Sequence, residues 1–350
     1  MVEIRTFDGD ASEAARFVTH VWQAAYGRQM PLPVWDARFL DWLLFRGGQA
    51  DRRYLIAAYS GRKLVGTLFA EPTRIRLGRR EVDGSYGSWN GVDPEYRGQG
   101  IGQRLAEELT RRHRERGAHL MLSCVSSETA LAQRFWGKTQ RMRFLDSMGL
   151  WMHVFDPAAL ARWSLHASER ALFTLARPWH RQGFRRASAE GIRPYRPADL
   201  PRCMALVQRM MAPVNLGYAY TPERLAAQLQ YRHVPRTFVL EDGGEVRGLV
   251  NYYTLRMRAR GEVTAGVVDL LAFEEDLPTA ERQRLLQVAM QDMVRQGVSC
   301  AALLRGPCVP APLMWRSGWI PWPGGAKVTC LLPMEGVELP FSPRVFTHLR

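Results

Sequence analysis

The eleven residues from Val92 to Gly102 have the composition of an anion-binding loop. They lie between an extended segment and a strongly helical one, and glycines stand at 98, 100 and 102. Without side chains to cover them, several backbone N–H groups can point into one concavity at the positive end of the helix dipole. Arg97 adds a fixed positive charge beside them. The segment therefore predicts a cradle for a pyrophosphate.

Two other glycine-rich phosphate loops do not fit this segment. A Walker loop needs Gly-Lys-Ser/Thr, whereas Gly102 is followed by Gln103. A dinucleotide fingerprint needs its glycines directly after a strand that opens a βαβ unit, with an acidic residue about 20 residues later. The plain structural alternative is a glycine turn that caps an ordinary helix. It does not explain the pattern of the whole eleven-residue string.

The string Val-x-Pro-x-x-Arg-Gly-x-Gly-Ile-Gly resembles motif A of the GNAT superfamily, the acyl-CoA-dependent N-acyltransferases. The resemblance implies that the loop holds the pyrophosphate of coenzyme A. It also implies a splayed strand that ends at Val92, whose backbone holds the pantetheine arm and the thioester carbonyl. The cofactor-binding residues so implied are Gly91, Val92, Arg97, Gly98, Gln99, Gly100, Ile101, Gly102, Gln103, Thr129 and Phe135.

The acid and base that the family ordinarily uses are absent from their usual places. Residues 85–92 contain no carboxylate, and the run Thr129-x-x-Ala132-x-x-Phe135 is followed by Trp136 instead of tyrosine. The candidates that remain are Asn90, which can orient a water, Asp269 from the second half of the chain, and the C-terminal carboxylate of Arg350. The last follows from the resemblance, because N-myristoyltransferases use theirs as the base. Asp83, Tyr86 and Glu128 are further substitutes, and each is more often structural.

Length and composition predict a two-domain cytoplasmic protein. A chain of 350 residues exceeds one typical domain. No apolar run approaches the ~20 residues of a membrane span, and the N-terminus lacks a secretory apolar region. The five cysteines are scattered, without a Cys-x-x-Cys pair, which indicates a reducing compartment and no metal site.

The net charge of +14 raises the question of a nucleic-acid partner. Only three of the 48 basic residues are lysine, a bias that a GC-rich genome explains, and no nucleic-acid-binding motif accompanies it. The expected partners are therefore an acyl-CoA and an amine acceptor rather than nucleic acid. The oligomeric state is left open.

The two halves of the chain predict the same mixed α+β fold. Ile192-Arg193-Pro194-Tyr195 restarts the pattern of Ile4-Arg5-Thr6-Phe7, and later strand and turn signals recur with a period of about 185 residues. We expect two tandem GNAT domains, each a mixed central sheet flanked by helices. The predicted bounds are 1–156 for the acyl-CoA-binding domain, 157–188 for a basic helical linker, and 189–350 for a degenerate domain.

The second half has no counterpart of the glycine loop. Glu274, Glu275 and Asp276 stand where the pyrophosphate would lie, and like charge there disfavours binding. The sequence therefore predicts one cofactor site. This layout resembles the tandem GNAT enzymes N-myristoyltransferase and mycothiol synthase.

The function expected from the sequence is transfer of an acyl group, in the simplest case acetyl from acetyl-CoA, to a primary amine. Two alternatives stay open: a catalytically silent acyl-CoA-binding sensor or scaffold, and an N-acyltransferase for longer chains. The sequence does not identify the acceptor.

Overall fold

A continuous sheet of 15 strands runs through the computed structural model. The structure describes residues 1–48, 51–126, 135, 137, 141–180 and 187–349, with the backbone alone at 176–180. Helices cover the sheet where its apolar side chains need partners.

The first half supplies strands up to β7 and helices up to α3. Asp10 begins the first helix, where its carboxylate accepts a hydrogen bond from the backbone N–H of Glu13 at 2.7 Å. The strands are β1 Val2–Thr6, β2 Leu32–Val34, β3 Leu55–Ser60, β4 Lys63–Leu77, β5 Arg80–Val92, β6 Leu120–Ser126 and β7 Met142–Val154. The helices are α1 Ala11–Tyr26, α2 Ala37–Leu40, which continues as a π-helical turn Asp41–Phe45, and α3 Ile101–Glu115.

The connection between the halves forms the helices α4 Pro157–Trp163 and α5 Ala167–His180. The second half then repeats the pattern of the first. Its strands are β8 Ile192–Pro194, β9 Leu216–Ala219, β10 Arg236–Asp242, β11 Glu245–Arg258, β12 Glu262–Phe273, β13 Val298–Leu304, β14 Ile320–Leu331 and β15 Val345–Phe346. Its helices are α6 Leu200–Met210, α7 Pro222–Leu229, α8 Thr279–Arg295 and α9 Ala311–Arg316.

The strand order is nearly symmetric about the middle of the sheet. It runs β1-β3-β4-β5-β6-β14-β7-β13-β12-β11-β10-β8, and the pairs β5–β6 and β12–β13 are parallel while their neighbours are antiparallel. Each strand on one side therefore has a counterpart at the same distance from the centre on the other. The predicted fold class, a mixed α+β fold with two tandem units, is confirmed.

The two units exchange their last strands. β14 lies between β6 and β7, with Thr329 opposite Ser123 on one side and Phe144 on the other. β7 in turn pairs with β13 of the second half. The halves consequently share one hydrogen-bonded sheet and a common core. The bounds at 156 and 189 stay predictions, and they fall in the connections on either side of α4 and α5.

One strand is longer than the sequence predicts. The sequence predicts separate strands over 64–70 and 73–77, whereas β4 runs unbroken from Lys63 to Leu77. Along one edge, β4 pairs with β3 up to Phe69 and with β9 from Arg74 onward, so at Pro72 that edge has no neighbouring strand. Because no ladder partner there needs its missing N–H group, the proline is tolerated.

Within the described ranges, no helix combines the length and the apolarity needed to cross a bilayer.

A histidine in the last turn of α3 is buried in the core. The ring of His113 is 0% exposed, and its Nε2 lies 2.7 Å from Ser85 Oγ and its Nδ1 2.8 Å from the carbonyl of Leu109. It stacks on Tyr54 at a centroid distance of 4.0 Å. Burial lowers the pKa of His113 from 6.5 to about 4.

This histidine predicts a loss of stability in mild acid. In the unfolded chain His113 takes up a proton near its ordinary pKa, whereas in the folded protein it does so only at about 4. The contribution of the neutral histidine to stability is therefore complete above about pH 6.5 and is lost as the pH falls. This loss lowers the free energy of unfolding by up to about 3 kcal/mol. Urea unfolding of the wild type and of His113→Gln from pH 7.5 to pH 4.5 measures this difference. Equal pH slopes for the two proteins would contradict it.

Candidate active site

The sheet opens between β5 and β6. The two strands pair in parallel only from Gly84 to Gly87 and from Leu120 to Ser123. Beyond that point β5 continues to Val92 and β6 to Ser126, and both segments border one cavity. A gap between two strands leaves backbone N–H and C=O groups without ladder partners, so it can hold an extended polar ligand.

A bulge in β5 creates this gap. The pairing of β4 with β5 shifts between Thr67 and Phe69, and Trp89 takes a left-handed backbone conformation with φ of 53°. An aromatic residue enters that region at a cost, so other contacts must hold it there. Thr67 Oγ1 donates to the carbonyl of Trp89 at 2.8 Å, and Trp22 Nε1 donates to the carbonyl of Asn90 at 2.7 Å.

The glycine loop forms the polar end of the cavity. Gly98 and Gly100 have positive φ of 79° and 73°, and α3 begins at Ile101. The first N–H groups of that helix have no carbonyl four residues earlier to bind, so they can bind an anion. A Cβ added at Gly102 would lie 3.0 Å from Phe135 Cε2, so a larger residue here requires the phenyl ring to shift by a few tenths of an ångström.

Arg97 fastens the loop to the end of β5. Its Nε donates to the carbonyl of Val92 at 3.2 Å, and Nη2 lies 3.5 Å from the carbonyl of Val21 in α1. The guanidinium borders the cavity, so its charge is available to a ligand.

The cavity measures about 1030 Å³ and spans both halves of the chain. From the glycine loop it passes the gap in the sheet and ends among apolar side chains of α4, α5 and the second-half strands, here called the apolar end. Its walls include Trp163, Phe173, Leu255, Met257, Val267 and Ala301. A mostly apolar cleft with a polar mouth is the usual form of a small-ligand site.

The structure brings most of the sequence-predicted cofactor residues to this one cavity. Those that border it are Gly91, Val92, Arg97, Gly98, Gly100, Ile101, Gly102, Gln103 and Phe135. Gln99 belongs to the loop but does not border the cavity, and Thr129 lies outside the described residues.

The predicted catalytic residues are in different places. Asn90 borders the cavity at the bulge. Asp269 does not border it: the carboxylate is buried, with Oδ1 3.0 Å from His348 Nδ1 and Oδ2 accepting a hydrogen bond from Gln228 Nε2 at 2.8 Å. Arg350 lies outside the described residues.

Residues 345–349, here called the final segment, lie between the two halves. β15 pairs with β9, the Tyr86 hydroxyl donates to the carbonyl of His348 at 2.9 Å, and Tyr220 contacts His348 Nε2 at 2.7 Å. Tyr253 donates to the carbonyl of Leu349, and Leu349 itself borders the cavity. Asp269 and Tyr86 thus hold the final segment in place.

Several cavity residues with transferable protons are not indicated by any sequence motif. Burial raises the pKa of Tyr26, against the opposing charge of Arg97, and burial also raises the pKa of the Cys124 thiol. Both groups therefore stay protonated near neutral pH. His166 and Glu169 also border the cavity. Their spacing from Phe173 is helical, a signal that predicts one face but not what that face meets.

In the second half the counterpart of the glycine loop is closed by ion pairs. Glu274 is buried and contacts Arg202 at 2.5 Å and Arg209 at 2.7 Å. Its carboxylate already pairs with the arginines that would otherwise bind an anion. This supports the prediction of one cofactor site. In the described part of the chain, no cluster of three metal-ligating side chains is present.

Comparison with known families identifies the first half. Residues 15–140 match the Acetyltransferase (GNAT) family, so this part of the chain is a GNAT domain. No curated protein matches the sequence at a significant level.

Solved structures share the fold of the whole chain. One structure of Saccharomyces cerevisiae N-myristoyltransferase with bound myristoyl-CoA has a TM-score of 0.77 at 13% identity, covering 100% of this chain and 89% of that one. A second has a TM-score of 0.74 at 13% identity, covering 94% and 78%. A GCN5-related N-acetyltransferase from Anabaena variabilis has a TM-score of 0.55 at 12% identity, covering 95% and 73%. At such identities the likeness shows the fold alone.

A negative charge in the loop is expected to weaken binding of coenzyme A. Gly100→Asp would place a carboxylate beside the pyrophosphate and should cost about 2 kcal/mol, roughly thirty-fold in Kd. Gly100→Asn is the matched control, because it imposes the same left-handed conformation without the charge. Calorimetric titration with coenzyme A compares the two variants. Equal affinities would mean that the pyrophosphate binds elsewhere.

Loss of the Asp269 carboxylate is expected to loosen the final segment without affecting the loop. Asp269→Asn leaves a buried histidine without its carboxylate and should lower the free energy of unfolding by about 1–3 kcal/mol, with Kd for coenzyme A unchanged. Asp276→Asn is the control, since that carboxylate is 77% exposed and solvent screens its ion pair with Arg247. If urea unfolding shows equal losses for both variants, Asp269 does not anchor the segment.

Proposed function

We propose that this chain, whose first half carries a GNAT domain, is an acyl-CoA-dependent N-acyltransferase. It transfers an acyl group, with acetyl as the leading candidate, from the thioester to a primary amine. The observation that supports this most is the single cavity that joins the glycine loop, the gap between β5 and β6, and the apolar end in the second half.

In this proposal backbone groups make most of the contacts that bind and polarise the acyl-CoA donor. The first N–H groups of α3 and Arg97 bind the pyrophosphate. Residues 88–92, where β5 has parted from β6, hold the pantetheine arm and polarise the thioester carbonyl, and Asn90 positions a water there. Transfer then needs no covalent intermediate with the protein, because the amine attacks the thioester carbon directly.

The leaving thiolate must regain a proton. Tyr26 and Cys124 border the cavity, and burial raises the pKa of each, so both hold a proton at neutral pH. They are the proposed substitutes for the tyrosine that is absent at position 136. Asp269 acts in this scheme as a positioning residue, through His348 and the final segment.

A longer acyl chain is the second candidate donor. The cavity continues past the bulge into apolar surroundings, and two similar solved structures of N-myristoyltransferase hold myristoyl-CoA. A silent acyl-CoA-binding scaffold is the remaining alternative, supported by the absence of the family's usual acid and base. The cytoplasmic location stays a prediction.

Titration with acetyl-, octanoyl- and myristoyl-CoA tests the donor site directly. We expect binding by calorimetry, and a roughly ten-fold weaker Kd in Arg97→Ala, because a charge-assisted contact contributes about 1.5 kcal/mol. Arg79→Ala, an exposed arginine outside the cavity, should leave Kd unchanged.

Release of free thiol in the presence of amines then separates an enzyme from a scaffold. Chain-length preference in the titration distinguishes an acetyl donor from a longer one. Failure of all three donors to bind would rule out both the N-acyltransferase and the acyl-CoA-binding scaffold.

A further inference from the structure

Helix α5 crosses the apolar end of the cavity and presents one face to it. Before the helix, Trp163 Nε1 donates to the carbonyl of Met257 at 3.0 Å. Further along, Phe173 stacks on Trp322 at a centroid distance of 5.6 Å. Residues 163–173 are here called the roof. His166 and Glu169, which lie between these two anchors, also border the cavity.

The roof carries the proton acceptors of the apolar end. Among the described residues that border the cavity, the carboxylates are Glu107 and Glu169, and the histidine is His166. Glu107 is on α3 near the glycine loop, where it accepts a hydrogen bond from Gln103 Nε2 at 2.8 Å. Glu169 is half-buried, whereas His166 is exposed at the outer edge.

The Tyr26 phenol and the thiols of Cys124 and Cys300 keep their protons near neutral pH. Burial raises the pKa of Tyr26 and of Cys124, and it raises the pKa of Cys300 to about 12. These groups can donate a proton near neutral pH but cannot accept one. Acceptance of a proton at the apolar end therefore falls to His166 and Glu169.

The surroundings of these two residues select a particular kind of cation. Trp163, Phe173 and Met257 form the adjacent walls, and they offer no polar side chain for a hydrophilic body. A polar group that enters such a wall loses water without gaining a hydrogen bond, which disfavours it. A carboxylate beside apolar walls attracts an ammonium more strongly than one in open water.

We propose that the roof forms the acceptor site and that the acceptor is a primary amine on an aryl or alkyl body. This proposal rests on the proposed function and deepens it. Glu169 pairs with the incoming ammonium, and His166 accepts the proton that frees the nitrogen lone pair. The nitrogen then forms a bond to the thioester carbon and the carbon–sulfur bond breaks. The thiolate takes a proton from Tyr26 or Cys124, and that donor regains one from the second N–H proton that the nitrogen loses as the amide forms. The products are an amide, coenzyme A and the proton that His166 passes to water.

The test compares amines that share an ammonium but differ in the body. With acetyl-CoA as donor, 2-phenylethylamine and octylamine should show kcat/KM at least ten-fold above that of ethanolamine, with the amide identified by mass spectrometry. Hydroxylamine serves as a second nucleophile, because it is small, is largely uncharged near pH 7 and needs neither an apolar wall nor a proton acceptor.

Variants assign the roles within the roof. Glu169→Gln should raise KM for 2-phenylethylamine at least ten-fold, and His166→Gln should lower kcat at least ten-fold. Neither should change KM for acetyl-CoA or the rate with hydroxylamine. Glu275→Gln, an exposed carboxylate outside the cavity, is the matched control and should behave as the wild type.

The outcomes separate this proposal from the one on which it rests. Transfer to hydroxylamine with no preference for apolar amines, or with unchanged amine kinetics in both variants, would overturn the acceptor site and leave the N-acyltransferase standing. A change in acyl-CoA chain-length preference in the roof variants would also overturn it, since the apolar end would then hold the acyl chain. Absence of donor binding and of hydroxylamine transfer would instead remove the proposed function.

Discussion

The exchange of β14 into the first half is the constraint on which the rest of the structure depends. β6 is hydrogen-bonded to β14 along its length, from Met121 opposite Leu331 to Ser126 opposite Ala326. Because that edge is fixed, the other edge of β6 can part from β5 without loss of the strand. In this chain the strand that supports the gap from the other side therefore comes from the second half.

The same constraint brings the two cores together. An ion pair between Glu71 of β4 and Arg224 of α7 joins the halves at 3.0 Å, with both side chains buried. β2 of the first half pairs with β11 of the second, and β9 pairs with β4. Breaking a buried pair would leave an uncompensated charge, so these contacts oppose separation of the halves. The walls of the cavity keep their spacing as a result.

Strain and chemistry coincide at the bulge. Trp89 is held in a left-handed conformation by its neighbours Thr67 and Trp22. Its ring packs against that of Trp35 at a centroid distance of 5.8 Å. From this point residues 88–92 border the cavity instead of pairing with β6. The titratable groups of the cavity differ in environment: burial raises the pKa of Tyr26 and of Cys124, whereas the roof carries the imidazole of His166 and the carboxylate of Glu169.

The sequence by itself determined the features that depend on local chemistry. The spacing of Gly98, Gly100 and Gly102 predicts a loop that opens a helix, and the structure places the start of α3 at Ile101. The repeat of strand signals predicts two similar units. A left-handed turn or a helix start is set by a few neighbouring residues, so it can be inferred without knowing the rest of the fold.

The tertiary structure decided which distant segments meet. No local pattern around Thr329 indicates that it lies opposite Ser123, and none near Pro72 indicates that its strand edge is unpaired. Asp269 contacts His348 and does not border the cavity, whereas Glu169 borders it because the connection between the halves packs there. Non-local pairing depends on the shapes and register of whole surfaces, and for that reason these sites emerge only once the chain is folded.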